Sequence, residues 1–275
     1  MAVTIADIQH LRKMTGAGMM DCKKALIEAD NDFDKAMEII RKKGQAVAAK
    51  RSDREASEGC VVAKSNGNYA AMIALKCETD FVAKNADFVK LTNDILDAAM
   101  AAKAADLNAV LALPFGAKGT VADAVTDRSG ITGEKMELDG YAFVEGPTCV
   151  GYNHLGSKLS TLVALNQEGK EEEGHEVGMQ IAAMNPISLS AADVPADVLA
   201  RETEIAADKA REEGKPEKLI DNIVRGRIQK FYKESCLLEQ EFVMNDEKKS
   251  VAQYLDSQSK GLTVVAFKRF SLNAE

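Results

Sequence analysis

Few side chains in this sequence have the type and spacing that chemistry needs. The three histidines, His10, His154 and His175, lie far apart, and five cysteines stand at positions 22, 60, 77, 149 and 236 with no CxxC pair. Neither a zinc site nor a thioredoxin-type dithiol is expected from that pattern. The cysteines read as small buried hydrophobes in a reducing compartment. No Ser-His-Asp signature, HExxH, Walker A sequence or dinucleotide glycine fingerprint occurs. Gly16-Ala17-Gly18 has no strand before it and reads as a turn between helices. His10 and His175 fall in helical stretches beside charged residues and are expected to face solvent. Glu171-Glu172-Glu173 puts negative charge at a helix start, where the helix dipole favours it. No catalytic residue, metal or cofactor is expected, and binding is favoured over catalysis.

Composition narrows the partners. The 275 residues include 43 acidic and 35 basic side chains, a formal charge of −8, with 46% hydrophobic residues. An acidic surface argues against nucleic acid as the main partner. The absence of Trp and an aromatic content of 5% weigh against a base-stacking surface. No apolar run approaches the ~20 residues that span a bilayer. Met1-Ala2-Val3-Thr4-Ile5-Ala6-Asp7 lacks the order of a signal peptide. The expectation is a cytoplasmic protein with no nucleic acid and no membrane partner.

The elements that would position a binding surface follow from periodicity. Thr4 with Asp7 reads as a capping box, followed by Ile5, Ile8 and Leu11 on one helix face. A second helix from about Met20 turns Cys22, Leu26 and Ala29 inward. A third starts at Asn31-Asp32, carries Phe33, Met37 and Ile40, and ends at Gly44. A three-helix unit of this size has a marginal core and needs a flexible tether or something to lean on. Residues 45–57 read as a polar connector or a fraying helical tail, with the domain boundary at 1–50 and the linker at 51–57.

Gly59–Lys64 and Tyr69–Leu75 are strand-like, separated by Ser65-Asn66-Gly67-Asn68, a hairpin signal. A helix over Ala86–Lys103 carries Phe88, Leu91, Ile95 and Ala99. Strand, strand, helix recurs with Met136–Val144, Thr161–Leu165 and a helix from Lys170–Glu173 to Asn185-Pro186 that carries Val177, Ile181 and Met184. Ala196–Glu213 and Glu217–Lys233 form a charged αα-hairpin around Gly214-Lys215-Pro216. Its seam is expected at Val198, Ile205, Leu219, Ile223 and Val224. A strand near Phe242-Val243-Met244, a helix Ser250–Ser257 and a strand Leu262–Phe267 complete the chain. The fold class is α+β with antiparallel sheets, in core subdomains 58–135 and 136–186 plus 235–275, with an insertion at 187–234.

Thr79-Asp80-Phe81-Val82-Ala83-Lys84-Asn85 is the most informative segment, with a partial echo at Asp87-Phe88-Val89-Lys90. Phe88 falls on the helix stripe and is core. Phe81 precedes the helix, where it either tucks under the helix start as a staple or points outward as an anchor. That segment resembles the hallmark of bacterial elongation factor Ts, as does Leu11-Arg12-Lys13-Met14-Thr15-Gly16-Ala17-Gly18-Met19-Met20-Asp21-Cys22-Lys23-Lys24-Ala25-Leu26. The likeness extends to Gly67-Asn68-Tyr69, Gly151-Tyr152-Asn153-His154 and Glu213-Gly214-Lys215-Pro216.

The resemblance implies a guanine-nucleotide exchange factor for elongation factor Tu, and so no chemical catalysis. It implies a ubiquitin-associated-like N-terminal domain, a two-part α+β core and a protruding hairpin. In the family the turn matching Thr79, Asp80, Phe81 and Val82 inserts between two helices of the GTPase and shifts the elements that hold Mg²⁺. Arg12, Met19 and Met20 match residues that grip another GTPase helix; helix core is the alternative for both methionines, evenly matched for Met20 on pattern alone. His154 matches a residue beside the Phe pocket, and Ile131-Thr132-Gly133-Glu134, including Thr132 and Gly133, is expected to line it. Some members carry a further helical module after the last strand, and the chain is expected to end without it at Glu275. The hairpin dimerises in some members, so a homodimer through residues 187–234 stands beside a self-contained antiparallel pair. The competing reading is a protein-binding module or holdase acting through the N-terminal helices; an enzyme of another type finds no set of residues.

Overall fold

The computed structural model describes residues 3–117, 119–244 and 247–272. Met1 and Ala2 of the N-terminal reading and the expected chain end at Glu275 lie outside the described residues. The chain divides into two compact units, one built from residues 3–62, 73–141 and 272, the other from 63–72 and 142–271.

The first unit opens with three helices. α1 (Ile5–Thr15) begins with the expected capping box: the Thr4 hydroxyl accepts from the Asp7 N–H, and the Asp7 carboxylate accepts from the Thr4 N–H at 2.9 Å. Gly16, at φ 72, closes the helix in the left-handed region that suits glycine. α2 (Met19–Glu28) and α3 (Phe33–Lys50, capped by Asp32) follow. Ile8, Leu11, Cys22, Ala25, Leu26, Ala29 and Ala36 make their shared core. Ile5, expected on the inner face, is 70% exposed. Two steps of three residues rotate it about 120° from Leu11, out of the seam.

β1 (Glu58–Ser65) and β2 (Gly67–Cys77) are joined at Asn66, whose N–H donates to the Tyr69 carbonyl at 2.9 Å. After β2 come the short α4 (Asp80–Ala83) and α5 (Ala86–Ala102), which buries Phe88, Thr92, Ile95, Leu96 and Ala99. Four elements then occupy a stretch for which none was expected: α6 (Leu107–Ala112), β3 (Pro114–Phe115), β4 (Gly119–Thr120) and α7 (Val121–Thr132). The inward face of α7 is only Val121, Val125 and Ser129, too thin an apolar stripe to announce a helix.

Gly44 does not end α3, which runs through it to Lys50. The glycine serves a neighbour instead. It faces Gly130 of α7, where an added Cβ would overlap the Gly44 Cα and come within 2.9 Å of its carbonyl carbon. Each helix-interior glycine costs about 1 kcal/mol relative to alanine, and here that cost is offset by backbone-to-backbone packing.

In the second unit, β5 (Glu137–Asn153) continues from the first unit well beyond the expected Val144. β6 (Leu159–Leu165) and α8 (Glu171–Met184) follow, the helix ending at Asn185 as expected. Val177 and Ile181 are buried, while Met184 is exposed on the last turn. A 3₁₀ turn at Ala191–Asp193 leads to α9 (Ala196–Glu212) and α10 (Glu217–Ser235), then α11 (Val251–Gln258) and β7 (Val264–Ser271). The strands hydrogen-bond in the order β1-β2-β5-β6-β7. β5 pairs antiparallel with β6 from Thr148–Leu165 to Asn153–Ser160, and β6 with β7 from Leu159–Ser271 to Leu165–Val264. The class is α+β.

Two expectations for this unit are corrected. The αα-hairpin seam is sealed by Ala206, Ala210 and Ile220 with the expected Val198, Ile223 and Val224 half-buried, while Ile205 and Leu219 are exposed. Alanines let the helices approach closely, and Arg227 ties them by donating to the Ala206 carbonyl at 3.1 Å and to the Glu213 carboxylate at 2.7 and 2.8 Å. Phe242-Val243-Met244 is not a strand. Glu241 makes only an isolated bridge to Ser250, and Phe242 sits in a loop with its ring stacked on Tyr254, centroids 3.9 Å apart and planes at 10°. Phe242 packs among Val177, Ile181, Leu237, Val251 and Leu255, so it is apolar because it plugs a core.

Phe242→Ala is expected to destabilise this unit by about 3–5 kcal/mol, read as a lower midpoint in equilibrium urea unfolding; an unchanged midpoint would show that the plug carries little of the core.

Candidate functional site

The site is built at the end of β2. Cys77 closes the strand, and its thiol donates to the Thr79 carbonyl at 3.2 Å. Burial, followed by the nearby Glu134 carboxylate, pushes the Cys77 thiol up to about 12. It stays protonated at neutral pH and serves as a packing group, not a nucleophile. All five cysteines are free and buried.

Thr79 then caps α4, its hydroxyl accepting from the Val82 N–H. A single four-residue turn of helix has no stability of its own, so it depends on what fastens it. The fastener is Glu134. Its carboxylate accepts from the Glu78 N–H at 3.1 Å, the Thr79 N–H at 3.0 Å and the Thr79 hydroxyl at 2.6 Å. Glu78 answers in the opposite direction, accepting from the Lys135 N–H at 2.7 Å and from Arg51 and Arg54 at 3.2 and 3.3 Å. The Lys135 N–H first, and then the Arg51 guanidinium, hold the Glu78 carboxyl below the ordinary carboxylate value.

Thr132 and Gly133 end the helix that presents Glu134. Gly133 caps α7 at φ 74, the Thr132 hydroxyl accepts from the Glu134 N–H at 3.3 Å, and the Ser129 hydroxyl donates to the Glu134 carbonyl at 2.5 Å. The structure thus brings Thr132, Gly133 and Glu134 to the Thr79–Val82 turn. Glu78 was not among the candidate residues, and Glu134 entered only as the last residue of the Ile131–Glu134 segment expected to line the Phe pocket. A carboxylate that bonds across 55 residues leaves no periodic trace.

On this fastened turn Phe81 is 85% exposed. The staple is therefore not the arrangement: the ring points to water, while Phe88 is the buried member of the echo. Asp80 pairs with Lys84 at 2.7 Å and Val82 is half-buried. In the three-helix segment Arg12 lies exposed on the last turn of α1. Met19 and Met20 open α2 at 38% and 62% exposure, so neither is core. His154 belongs to the second unit, exposed at the end of β5, where it shares a hydrogen bond of 2.9 Å with the Tyr152 hydroxyl. His10 is exposed against the Phe33 ring, and His175 is exposed against Tyr152. Among the described residues no group of three or more His, Cys, Asp or Glu converges on a metal position, and no helix is long and apolar enough to cross a membrane. The arrangement offers an exposed apolar ring on a turn fastened by polar bonds.

Known proteins resemble this chain along its length. A family model described as elongation factor TS matches residues 78–274. An elongation factor Ts of Porphyromonas gingivalis is 56% identical over 275 residues, covering all of both chains. One of Parabacteroides distasonis is 51% identical over 332 aligned positions, and one of Azobacteroides pseudotrichonymphae is 49% identical over 276, again with both chains fully covered.

The Glu78 bonds set a pH dependence. A carboxyl lowered on folding contributes stability that is present above its unfolded value of 4.5 and is lost as the pH falls through the lower folded value. Glu78→Gln is expected to lower the urea midpoint at neutral pH, with the gap to the parent closing on acidification below 4.5; a gap that persists in acid would contradict the assigned cause.

Proposed function

The chain belongs to the elongation factor Ts family, and from that premise we propose that it is a guanine-nucleotide exchange factor that binds elongation factor Tu carrying GDP and drives the GDP out. The observation that carries this reading is Phe81, a large apolar ring held in water by a turn that is itself fastened at three points.

No bond is made or broken in the exchange. Mg²⁺ bridges the nucleotide phosphates to the GTPase and supplies a large electrostatic share of nucleotide affinity. The Thr79–Val82 turn enters between two helices of the GTPase and displaces the elements that hold the metal. Burying one phenyl ring supplies roughly 1.5–3 kcal/mol toward that displacement. The coupling is reciprocal: a protein that binds the nucleotide-free partner best weakens nucleotide, and returning nucleotide, GTP included, weakens the complex. Arg12, Met19 and Met20 hold a second GTPase helix, where unbranched methionines adapt to an irregular apolar surface. Thr132 and Gly133 serve through the Glu134 fastening, and His154 contributes a contact from the second unit. Exposure of Phe81, Met19 and Met20 supports these assignments, because each side chain is available before the partner arrives.

The test is release of mant-GDP from elongation factor Tu followed by stopped flow. The chain is expected to accelerate release, and Phe81→Ala to reduce the acceleration by about 10- to 100-fold, the ratio that corresponds to losing one buried ring. The variant should unfold at the parent's midpoint, because the ring contributes little to the fold. Full acceleration with Phe81→Ala would remove the ring from the mechanism. No acceleration by the parent chain would remove the function.

A further inference from the structure

We propose that Gly44, Gly130 and Arg41 are positioning residues that lock the three N-terminal helices onto α7, so that the Met19–Met20 surface and the Phe81 turn meet the partner at one fixed spacing. This rests on the exchange function proposed above and adds a requirement that the family relationship does not state.

Three observations carry it. The first is the contact between Gly44, inside α3, and Gly130, in the last turn of α7. A Cβ on Gly130 would overlap the Gly44 backbone, and one on Gly44 would stand 3.4 Å from the Gly130 Cα. Helix axes this close require glycine on the Gly130 side, and the space beside it is not filled by other packing. A cavity of about 270 Å³ opens next to the contact, lined in part by Met14, Met37, Ile40 and Ile131. The two helices pack closely along their length, and the glycine pair lets their backbones meet.

The second is Arg41, three residues before Gly44. Its guanidinium pairs with Asp123 at 2.7 Å and approaches Asp127 at 3.9 Å, both on α7. The ion pairs flank the glycine contact on one side and set the rotation of α3 against α7. Lys43 pairs with Asp21 in the first turn of α2, so the helix that carries Met19 and Met20 is tied to the same stretch of α3.

The third is the position of the contact along α7. Gly130 is next to Ser129, whose hydroxyl holds the Glu134 carbonyl, and Glu134 fastens Thr79. One helix therefore takes the N-terminal segment on its face and presents the Phe81 turn from its end. Two partner contacts joined rigidly raise each other's effective concentration, and a flexible joint forfeits part of that gain.

The test uses the full chain with nitroxide labels at Glu28→Cys and Lys90→Cys, both exposed, while the five native cysteines are buried. In this background Gly130→Val and, separately, Arg41→Glu are expected to broaden the label-to-label distance distribution. In mant-GDP release each should raise the half-saturating concentration of elongation factor Tu by about tenfold, with the maximal rate within about twofold of the parent, since the Phe81 turn is intact. A broadened distribution with unchanged half-saturation would overturn the proposal, because spacing would then not matter. A narrow distribution in both variants would overturn it too, because something else would hold the segment. A fall in maximal rate alone would assign α7 to the turn and not to spacing. Should Gly130→Val fail to fold, Arg41→Glu decides, because it removes the ion pairs and leaves the glycine contact in place. Failure of the exchange function itself is recognised separately, as a parent chain that does not accelerate release.

Discussion

The Glu134 carboxylate is the constraint on which the rest of the site depends. A chain leaving a strand for a four-residue helix carries backbone N–H groups with no partner inside either element. Glu134 accepts two of them and the Thr79 hydroxyl besides. Those bonds hold the turn that carries Phe81 two residues later, with the ring in water. Exposing Phe81 forgoes the roughly 1.5–3 kcal/mol that burial would return. A free turn would recover that energy by folding the ring back onto the helix start. The fastening blocks the recovery.

The same carboxylate logic runs in both directions across this region. Glu134 holds the turn after β2, and Glu78 in that turn holds the Lys135 N–H at the start of the chain leading to β5. Each acid is satisfied by donors on the other's segment. Arg51 and Arg54, just past α3, add charge to the Glu78 side. Residues that read as a solvated connector therefore take part in holding the turn, and the three-helix segment leans on α7 through Gly44 instead of hanging from a tether.

What could be read in advance follows from how local each cause is. The Thr4–Asp7 and Asp32 caps, the hairpin at Asn66, the Phe88 stripe of α5 and the two hairpin helices each rest on residues within a few positions of one another, and each stands where expected. The misses share the opposite property. Gly44 looks like a helix end until Gly130 is beside it. α7 hides because its buried face is two valines and a serine, although Thr120 and Asp123 form a capping box that could have marked its start. Phe242 resembles a strand residue because a core plug and a strand have the same composition. The side on which Phe81 stands is set by Glu134, 53 positions away, so no local pattern could choose between staple and anchor. The family resemblance implied a ring that inserts into a partner but left open whether it is exposed beforehand, and the structure shows it exposed.

The central claim is that this ring leaves water for a crevice in the partner as nucleotide leaves. The chain contains no Trp, so Phe81→Trp places a single indole at the wedge. Its emission, with the partner's own subtracted, should be that of a solvated indole in the free chain. On mixing with elongation factor Tu carrying GDP it should shift to shorter wavelength and become protected from acrylamide, in step with GDP release. An indole that stays fully solvated while GDP is released would contradict the account.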